Sequence, residues 1–400
     1  MKVLVFAHRL EVGGTQVNAI ELSAALRDLH GHDVALFATP GPMVDFAREK
    51  GLRFHPAPDA GSHPSMARMR SLREVVRREK PDVLHAWDWP QCLDAYYASH
   101  LLQQVPMVVT DMSMVTSRLL PKRLPTTFGT PELVDQARTA GRRPVELLVP
   151  PVDVHANAPG VVDPTPFRRA YGIEDSDIAI VTVSRLTEWM KAESLRRTVD
   201  AVRILGKDLP VRFVIVGDGS SRGRLEKLAD QTNSELGRKA VVLTGALIDP
   251  RPAYAGADVV VGMGGSGLRA MAFAKPLVIV GERCFSAPFN ADSAEGFYYK
   301  GIYGLGDGNA QSTRLLDDLR AVVTQPGHFN ELGALGRQFV VERFSLEAVA
   351  AQLSAVLQVT ASARPGLHVT ATDGLRTAAI LIGRRYVPEV LRRRLAAGSS

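Results

Sequence analysis

At 400 residues the chain is two to three times the usual single-domain length, so two domains are the first expectation. Apolar residues form 46% of it and charged residues 22%, which excludes wholesale disorder, and 34 glycines and 25 prolines without a period exclude a collagen-like chain. The net charge of +6 sits at one end: residues 361–400 hold Arg364, Arg376, Arg384, Arg385, Arg392, Arg393 and Arg394 against Asp373 and Glu389, and the nearly neutral remainder argues against a nucleic-acid partner.

Short β-branched runs alternate with helical patterns from end to end, the mark of parallel α/β domains. Residues 2–7 read as a buried first strand, because their apolar run is shorter than that of a secretory signal and His8 and Arg9 follow at once. A helix over 17–28 follows, then strands at 33–38, 81–86, 105–110 and 145–149 with helical stretches between. Pro150, Pro151, Pro159, Pro164 and Pro166 then mark a linker. The pattern restarts with strands at 178–183, 211–216, 240–243, 258–261 and 277–280, interleaved with helices at 192–205, 222–230 and 267–274. An amphipathic helix at 346–357, with Ser345 as its N-cap, closes this half. The expectation is an α/β protein of two facing Rossmann-like domains with parallel sheets, in which ligands bind beyond the carboxyl ends of the strands. No run approaches the roughly 20 apolar residues of a membrane span. Cys92 and Cys284 are the only cysteines and lie far apart, which excludes a disulfide framework or a cysteine-based zinc site and fits a reducing cytoplasm.

Five segments could carry chemistry. Gly13 and Gly14, between the first strand and the first helix, let backbone amides approach an anion, though an ordinary strand-to-helix turn needs the same residues. Arg185 and Lys191, beyond the strand at 178–183, combine a planar fork of donors with a mobile point charge and suit a diphosphate. Gly217-Asp218-Gly219 ends a buried strand in mid-domain, so a tight turn lining a nucleotide pocket is the better reading than a dinucleotide fingerprint. Gly262, Gly264, Gly265, Ser266 and Gly267 join a strand to a helix with more glycine than close packing needs, which suits an anion cradle. In Leu84-His-Ala-Trp-Asp-Trp89, aromatic rings with His85 and Asp88 can stack on a sugar and bond its hydroxyls, and a core histidine at a strand end is the competing reading. His85, Asp88 and Asp111 are the candidate catalytic bases, Trp87 and Trp89 the candidate acceptor contacts, and His8 a further cleft candidate.

In their order and spacing these segments resemble glycosyltransferase family 4. The resemblance rests on Gly13-Gly14 with Glu21-Leu-Ser-Ala-Ala-Leu26, Asp82-Val-Leu-His-Ala86, Val149-Pro-Pro-Val-Asp153, Ser184-Arg-Leu186 with Lys191, Val214-Ile-Val-Gly-Asp-Gly219, Gly245, Ala255-Gly-Ala-Asp258, and Ala270-Met-Ala272 with Pro276. It implies the GT-B fold, with an acceptor-binding domain at 1–160, a nucleotide-sugar-binding domain at 161–360 and a basic tail at 361–400 that packs back on the first domain. It also implies retaining transfer of a sugar from a nucleoside-diphosphate donor to an acceptor hydroxyl, in small-molecule or glycoconjugate biosynthesis. The donor side would be formed by Gly13, Gly14, Arg185, Lys191, Gly217, Gly264, Gly265, Ser266 and Gly267. No cofactor beyond the nucleotide sugar is expected, and no metal. The chain departs from the family pattern where a pair of glutamates usually brackets the last glycine segment: Val261 and Arg269 stand there, with Arg269 heading the next helix and Glu282 a substitute carboxylate. It also lacks the histidine that the family often places near Asp111. Those losses keep two alternatives open, a GT-B nucleotide-sugar epimerase and a non-catalytic nucleotide-sugar-binding partner. The arginine-rich tail leaves room for a peripheral contact with an anionic surface.

Overall fold

A computed structural model describes residues 1–386 apart from Trp189, Arg364 and Pro365, with residues 384–386 described by their backbone alone. The arginines that the sequence gathers at 392–394, the side chains of Arg384 and Arg385, and Arg364 therefore lie outside the described residues. The chain divides into two compact units, Met1–Pro150 with the segment from Glu347 onward, and Pro151–Leu346.

The first unit carries a seven-stranded sheet: β1 (Lys2–Phe6), β2 (Asp33–Ala38), β3 (Arg53–Pro56), β4 (Val83–Trp87), β5 (Met107–Asp111), β6 (Thr126–Phe128) and β7 (Val145–Leu147). The order is β3-β2-β1-β4-β5-β6-β7, and all neighbours run parallel. Helices cover both faces of such a sheet, so its central strands are continuous apolar runs: Val3, Leu4, Val5 and Phe6 of β1 are all buried. The chain winds outward from β1 to β3, then returns to β4 and winds the other way. That reversal leaves a crevice at the carboxyl ends of β1 and β4, where ligands bind in sheets of this kind.

The second unit repeats the plan with β8 (Ile178–Val183), β9 (Val211–Val216), β10 (Val241–Gly245), β11 (Val259–Gly262), β12 (Leu277–Val280) and β13 (Ser286–Pro288). The order is β10-β9-β8-β11-β12-β13, parallel throughout except for the β12–β13 pair. Here the winding reverses between β8 and β11.

Two boundaries differ from those drawn on the sequence. The units part at Pro150 rather than 160, and the helix Leu346–Ser362 belongs almost wholly to the first unit instead of closing the second. The helix Leu367–Tyr386 follows it and is tied to the first sheet's helical layer. The Tyr96 hydroxyl donates to the Thr370 carbonyl (2.8 Å), the Tyr97 hydroxyl to the Gly374 carbonyl (2.9 Å), and the Arg123 amide to the Asp373 carboxylate (2.7 Å). No single described helix is long and apolar enough to cross a membrane.

Candidate active site

At the β1/β4 crevice of the first unit the chain brings together a histidine and two carboxyl groups. His8 follows β1, and its Nε2 lies 2.7 Å from Asp88 Oδ2. Asp88 opens the helix Asp88–Ala95 directly after β4, with φ at +53°, in the left-handed region that aspartate enters more readily than most residues other than glycine. Its other carboxylate oxygen, Asp88 Oδ1, accepts the Met112 amide at 2.8 Å, so both oxygens are held. Asp111, the last residue of β5, is fully buried and accepts hydrogen bonds from the Ser113 hydroxyl (2.5 Å) and amide (3.0 Å). Burial pushes the Asp111 carboxyl up to about 7, and the neighbouring Asp88 charge adds to the shift. Two adjacent carboxyl groups thus stand in different environments, the arrangement that separates proton donor from proton acceptor.

The other candidates of this unit fall elsewhere. His85 lies inside β4, 1% exposed, with Nε2 2.7 Å from the Thr110 hydroxyl, which is itself 2.8 Å from that of Thr127. Burial drives its imidazole down to about 3, so His85 stays neutral and serves as a core histidine, and it is removed from the candidate bases. Trp87 is likewise fully buried among core side chains and offers no face to an acceptor. The two are on a strand buried on both faces, where alternation gives no exposed side. Trp89 is half-buried beside the crevice, edge-on to His63 with ring centroids 6.0 Å apart. Gly13 caps the helix Gly14–His30 in an extended conformation, and a Cβ on Gly14 would meet no atom within 4 Å, so this helix N-terminus is open.

In the second unit, the β8/β11 crevice collects the cations. Arg185 is exposed just beyond β8, and Lys191 is the N-cap residue of the helix Ala192–Leu205. Burial, with the Arg185 charge as a smaller contribution, pulls the Lys191 amine down to about 8. Lys191, Ser184, Gly262, Met263 and Ser266 line one small cavity. The Ser266 hydroxyl donates to the Val183 carbonyl at 2.8 Å and receives the Tyr254 hydroxyl at 3.1 Å, which pins the start of one helix to the end of β8. Tyr254 was not singled out from the sequence because nothing in its spacing links it to the glycines.

The glycine segment differs from the expected loop. The helix begins at Gly264, so Gly264–Gly267 form its first turn and their amides belong to the helix N-terminus, with the Gly264 amide donating to the Ile302 carbonyl at 2.6 Å. Arg269 consequently lies in the last turn of Gly264–Ala272 rather than at its head, where the helix dipole favours a cation. Gly267 is a packing residue, since a Cβ there would lie 3.0 Å from both Ile302 and Leu277. Gly217, at φ +144°, would place a Cβ 1.8 Å from the Ser184 carbonyl, so its hydrogen side chain lets the β9 loop close on the Arg185 segment. Glu282, beyond β12, accepts the Tyr303 hydroxyl at 2.6 Å. Among the described residues no group of three or more histidines, cysteines or carboxylates is placed to hold a metal ion.

Residues 12–142 match the family described as Glycosyltransferase Family 4, and residues 177–287 match that described as Glycosyl transferases group 1. None of the curated proteins compared matches the chain. Among solved structures, a glycosyltransferase from Rickettsia africae superposes with a TM-score of 0.70 at 15% identity, covering 90% of this chain and 98% of that one. The Anabaena protein HepE in complex with UDP gives 0.70 at 15% identity, with 90% and 100% covered, and sucrose-phosphate synthase from Thermosynechococcus elongatus gives 0.66 at 17%, with 91% and 100% covered. At these identities the likeness establishes the fold, that of the GT-B glycosyltransferases.

Proposed function

The chain is a glycosyltransferase of the family 4 and group 1 type, and on that premise we propose that it transfers a sugar, with retention, from a nucleoside-diphosphate donor to an acceptor hydroxyl. The observation that carries the reading is that Lys191 and the glycine-rich helix start share one small cavity at the β8/β11 crevice, with Arg185 near enough for its charge to act on the Lys191 amine. As the bond between the anomeric carbon and the donor's diphosphate breaks, negative charge collects on the leaving phosphate. Arg185 and Lys191 would stabilise it there, assisted by the amides of the first helical turn. The new bond forms between that carbon and the acceptor oxygen, whose proton must leave. On this reading His8, hydrogen-bonded to Asp88 at 2.7 Å, would take it in the manner of other carboxylate-supported histidines, with Asp111 as a neighbouring acid.

HepE has been solved with UDP and with UDP-glucose, which makes a uridine diphosphate sugar the first donor to try. A thermal-shift panel of UDP, GDP, ADP and dTDP should raise the melting temperature with one diphosphate above the rest. Arg185→Ala and Lys191→Ala should each weaken that diphosphate by about 1.5–3 kcal/mol while the monophosphate changes less. Asp88→Asn should leave donor binding intact and slow sugar release to acceptor. The reading is abandoned if no nucleoside diphosphate shifts the transition, or if both cation variants bind like wild type.

A further inference from the structure

A cavity of about 510 Å³ opens in the first unit at the amino ends of β5, β6 and β7, whereas His8, Asp88 and Asp111 lie at carboxyl ends of the same sheet. Pro106, Pro125 and Pro144, the residues immediately before those three strands, line its floor. Proline has no N–H to offer, and the three carbonyls already accept the amides of Leu84 (2.8 Å), Val109 (3.0 Å) and Thr126 (3.2 Å). The hydroxyls in the wall are spent as well. Tyr96 donates to the Thr370 carbonyl, Thr126 to Leu124, Thr360 to Val356 and Thr370 to Gly366. Apart from the His100 imidazole, whose Nδ1 lies 2.8 Å from the Val105 carbonyl, most of what faces the space is carbon, so a water molecule inside would find few of the partners it needs. The charged lining residues are Arg123 and Glu146, both exposed, and Asp373, whose carboxylate accepts the Arg123 amide and pairs with Arg376. A largely apolar interior with Arg123 and Glu146 toward solvent and the buried Asp373 carboxylate held by its own partners suits an amphiphile, and the volume falls within the range of small-ligand sites.

The roof points to where such a ligand comes from. It is formed by the helices Leu346–Ser362 and Leu367–Tyr386, which bend by 115° at their junction. Val359 and Val369 line the cavity and are still 73% and 48% exposed, so they stand at its mouth, and Leu367, Leu375 and Ile382 add exposed apolar surface on the same hairpin. Five exposed apolar side chains on one pair of helices suit burial against an apolar phase. In the sequence, residues 361–400 hold seven arginines against two acids, a balance that favours an anionic partner, and of these arginines Arg376, paired with Asp373, is the one whose side chain is described. We propose that this hairpin rests on an anionic membrane surface and that the cavity takes a single alkyl chain of an anionic lipid from it.

The test is flotation of the full chain with vesicles of phosphatidylcholine alone or mixed equally with phosphatidylglycerol. A parallel arm titrates cis-parinaric acid, a fluorescent single-chain probe, below its micelle concentration. Ala355 and Val356 line the cavity from the helical side, and Ala355→Trp and Val356→Phe each fill it without touching the crevice at the carboxyl ends. Wild type should float only with the anionic vesicles and bind the probe with one-to-one stoichiometry. Both fillers should reduce each signal at least fivefold while the melting temperature and the response to nucleotide stay those of wild type. Unchanged flotation by the two folded fillers would show that no chain enters the cavity and would overturn the proposal. Probe binding without flotation would identify a soluble apolar ligand and overturn the membrane source, and absence of both signals would overturn the whole.

Discussion

The Lys191 amine is the group through which pH should reach the donor site. Burial lowers it to about 8 from 10.5, so in the free protein its charge is lost as pH rises through about 8. A bound diphosphate favours the charged form, hence binding should take up a proton above that pH. Affinity for the preferred nucleoside diphosphate is expected to fall between pH 7.5 and 9.5 in wild type, and to be weaker but flat over that range in Lys191→Met. Calorimetry at four pH values reads both, and a flat wild-type profile would remove Lys191 from the phosphate contacts. Asp111 titrates in the opposite sense. Its folded value near 7 lies above the ordinary 3.8, so between roughly pH 4 and 7 the native state holds a proton that the unfolded chain has released. Stability therefore falls as pH rises through that window, and the loss is complete above it. Asp111→Asn retains an oxygen to accept from Ser113 but cannot ionise. Relative to wild type, the variant should gain on the order of 1 kcal/mol or more between pH 4.5 and 7.5 in chemical denaturation. Parallel pH profiles for the two proteins would contradict the buried-acid assignment.

At the scale of elements, the positive-φ glycines after β9 decide whether the cation segment can be placed at all. Gly217 and Gly219 adopt φ +144° and +152°, and Cβ atoms there would lie 1.8 Å from the Ser184 carbonyl and 2.5 Å from that of Leu186. Gly217→Ala must move the segment that carries Arg185, costing roughly 1–3 kcal/mol of stability together with most of the diphosphate affinity. Gly223, inside the helix Arg222–Leu236, is the control: its Cβ would meet no atom within 4 Å, and Gly223→Ala should stabilise by up to about 1 kcal/mol. Equal melting temperatures for the two variants would refute the packing argument. These same elements mark how far the sequence could be read. Long apolar runs announced β1, β8, β9 and β12 within a residue or so, because a parallel strand buried on both faces has no polar alternation to blur it. The short strands Arg53–Pro56, Thr126–Phe128 and Ser286–Pro288 carry too few apolar residues for periodicity, and only pairing with a neighbour defines them. The site shows the same limit. Arg185, Lys191 and the glycine run after β11 stand out as candidates because glycine and charge at a strand end have few other uses, yet the run reads as a loop before a helix at 267, whereas the helix starts at Gly264. The sequence put His85 ahead of His8 as a candidate base, because which of two strand-end histidines is enclosed depends on where each strand stops: β1 ends two residues before His8, whereas His85 is enclosed within β4.

For the molecule as a whole, the chain leaves the first unit at Pro150 and returns to it at Glu347, so its final helices complete a body begun at Met1. The helix Leu367–Tyr386 is held to that body by the hydrogen bonds from Tyr96, Tyr97 and the Arg123 amide, and by the close approach of Gly374, where a Cβ would lie 3.3 Å from the Tyr96 ring. Deleting residues after 360 would strand the Arg123 amide and uncover the rings of Tyr96 and Tyr97. At about 1 kcal/mol for each hydrogen bond lost, plus the apolar area exposed, the first unit should lose several kcal/mol. The second unit has its own sheet and core and should keep its stability, together with the diphosphate response assigned to Arg185 and Lys191. Scanning calorimetry of the truncated chain is therefore expected to show one transition lowered by several degrees and one that still moves upward with the preferred nucleotide. A single unchanged transition would mean that the last helix contributes nothing to the first unit. A loss of the nucleotide response along with the first unit's stability would mean that the donor site needs both units intact, which the placement of every proposed donor cation between Pro151 and Leu346 argues against.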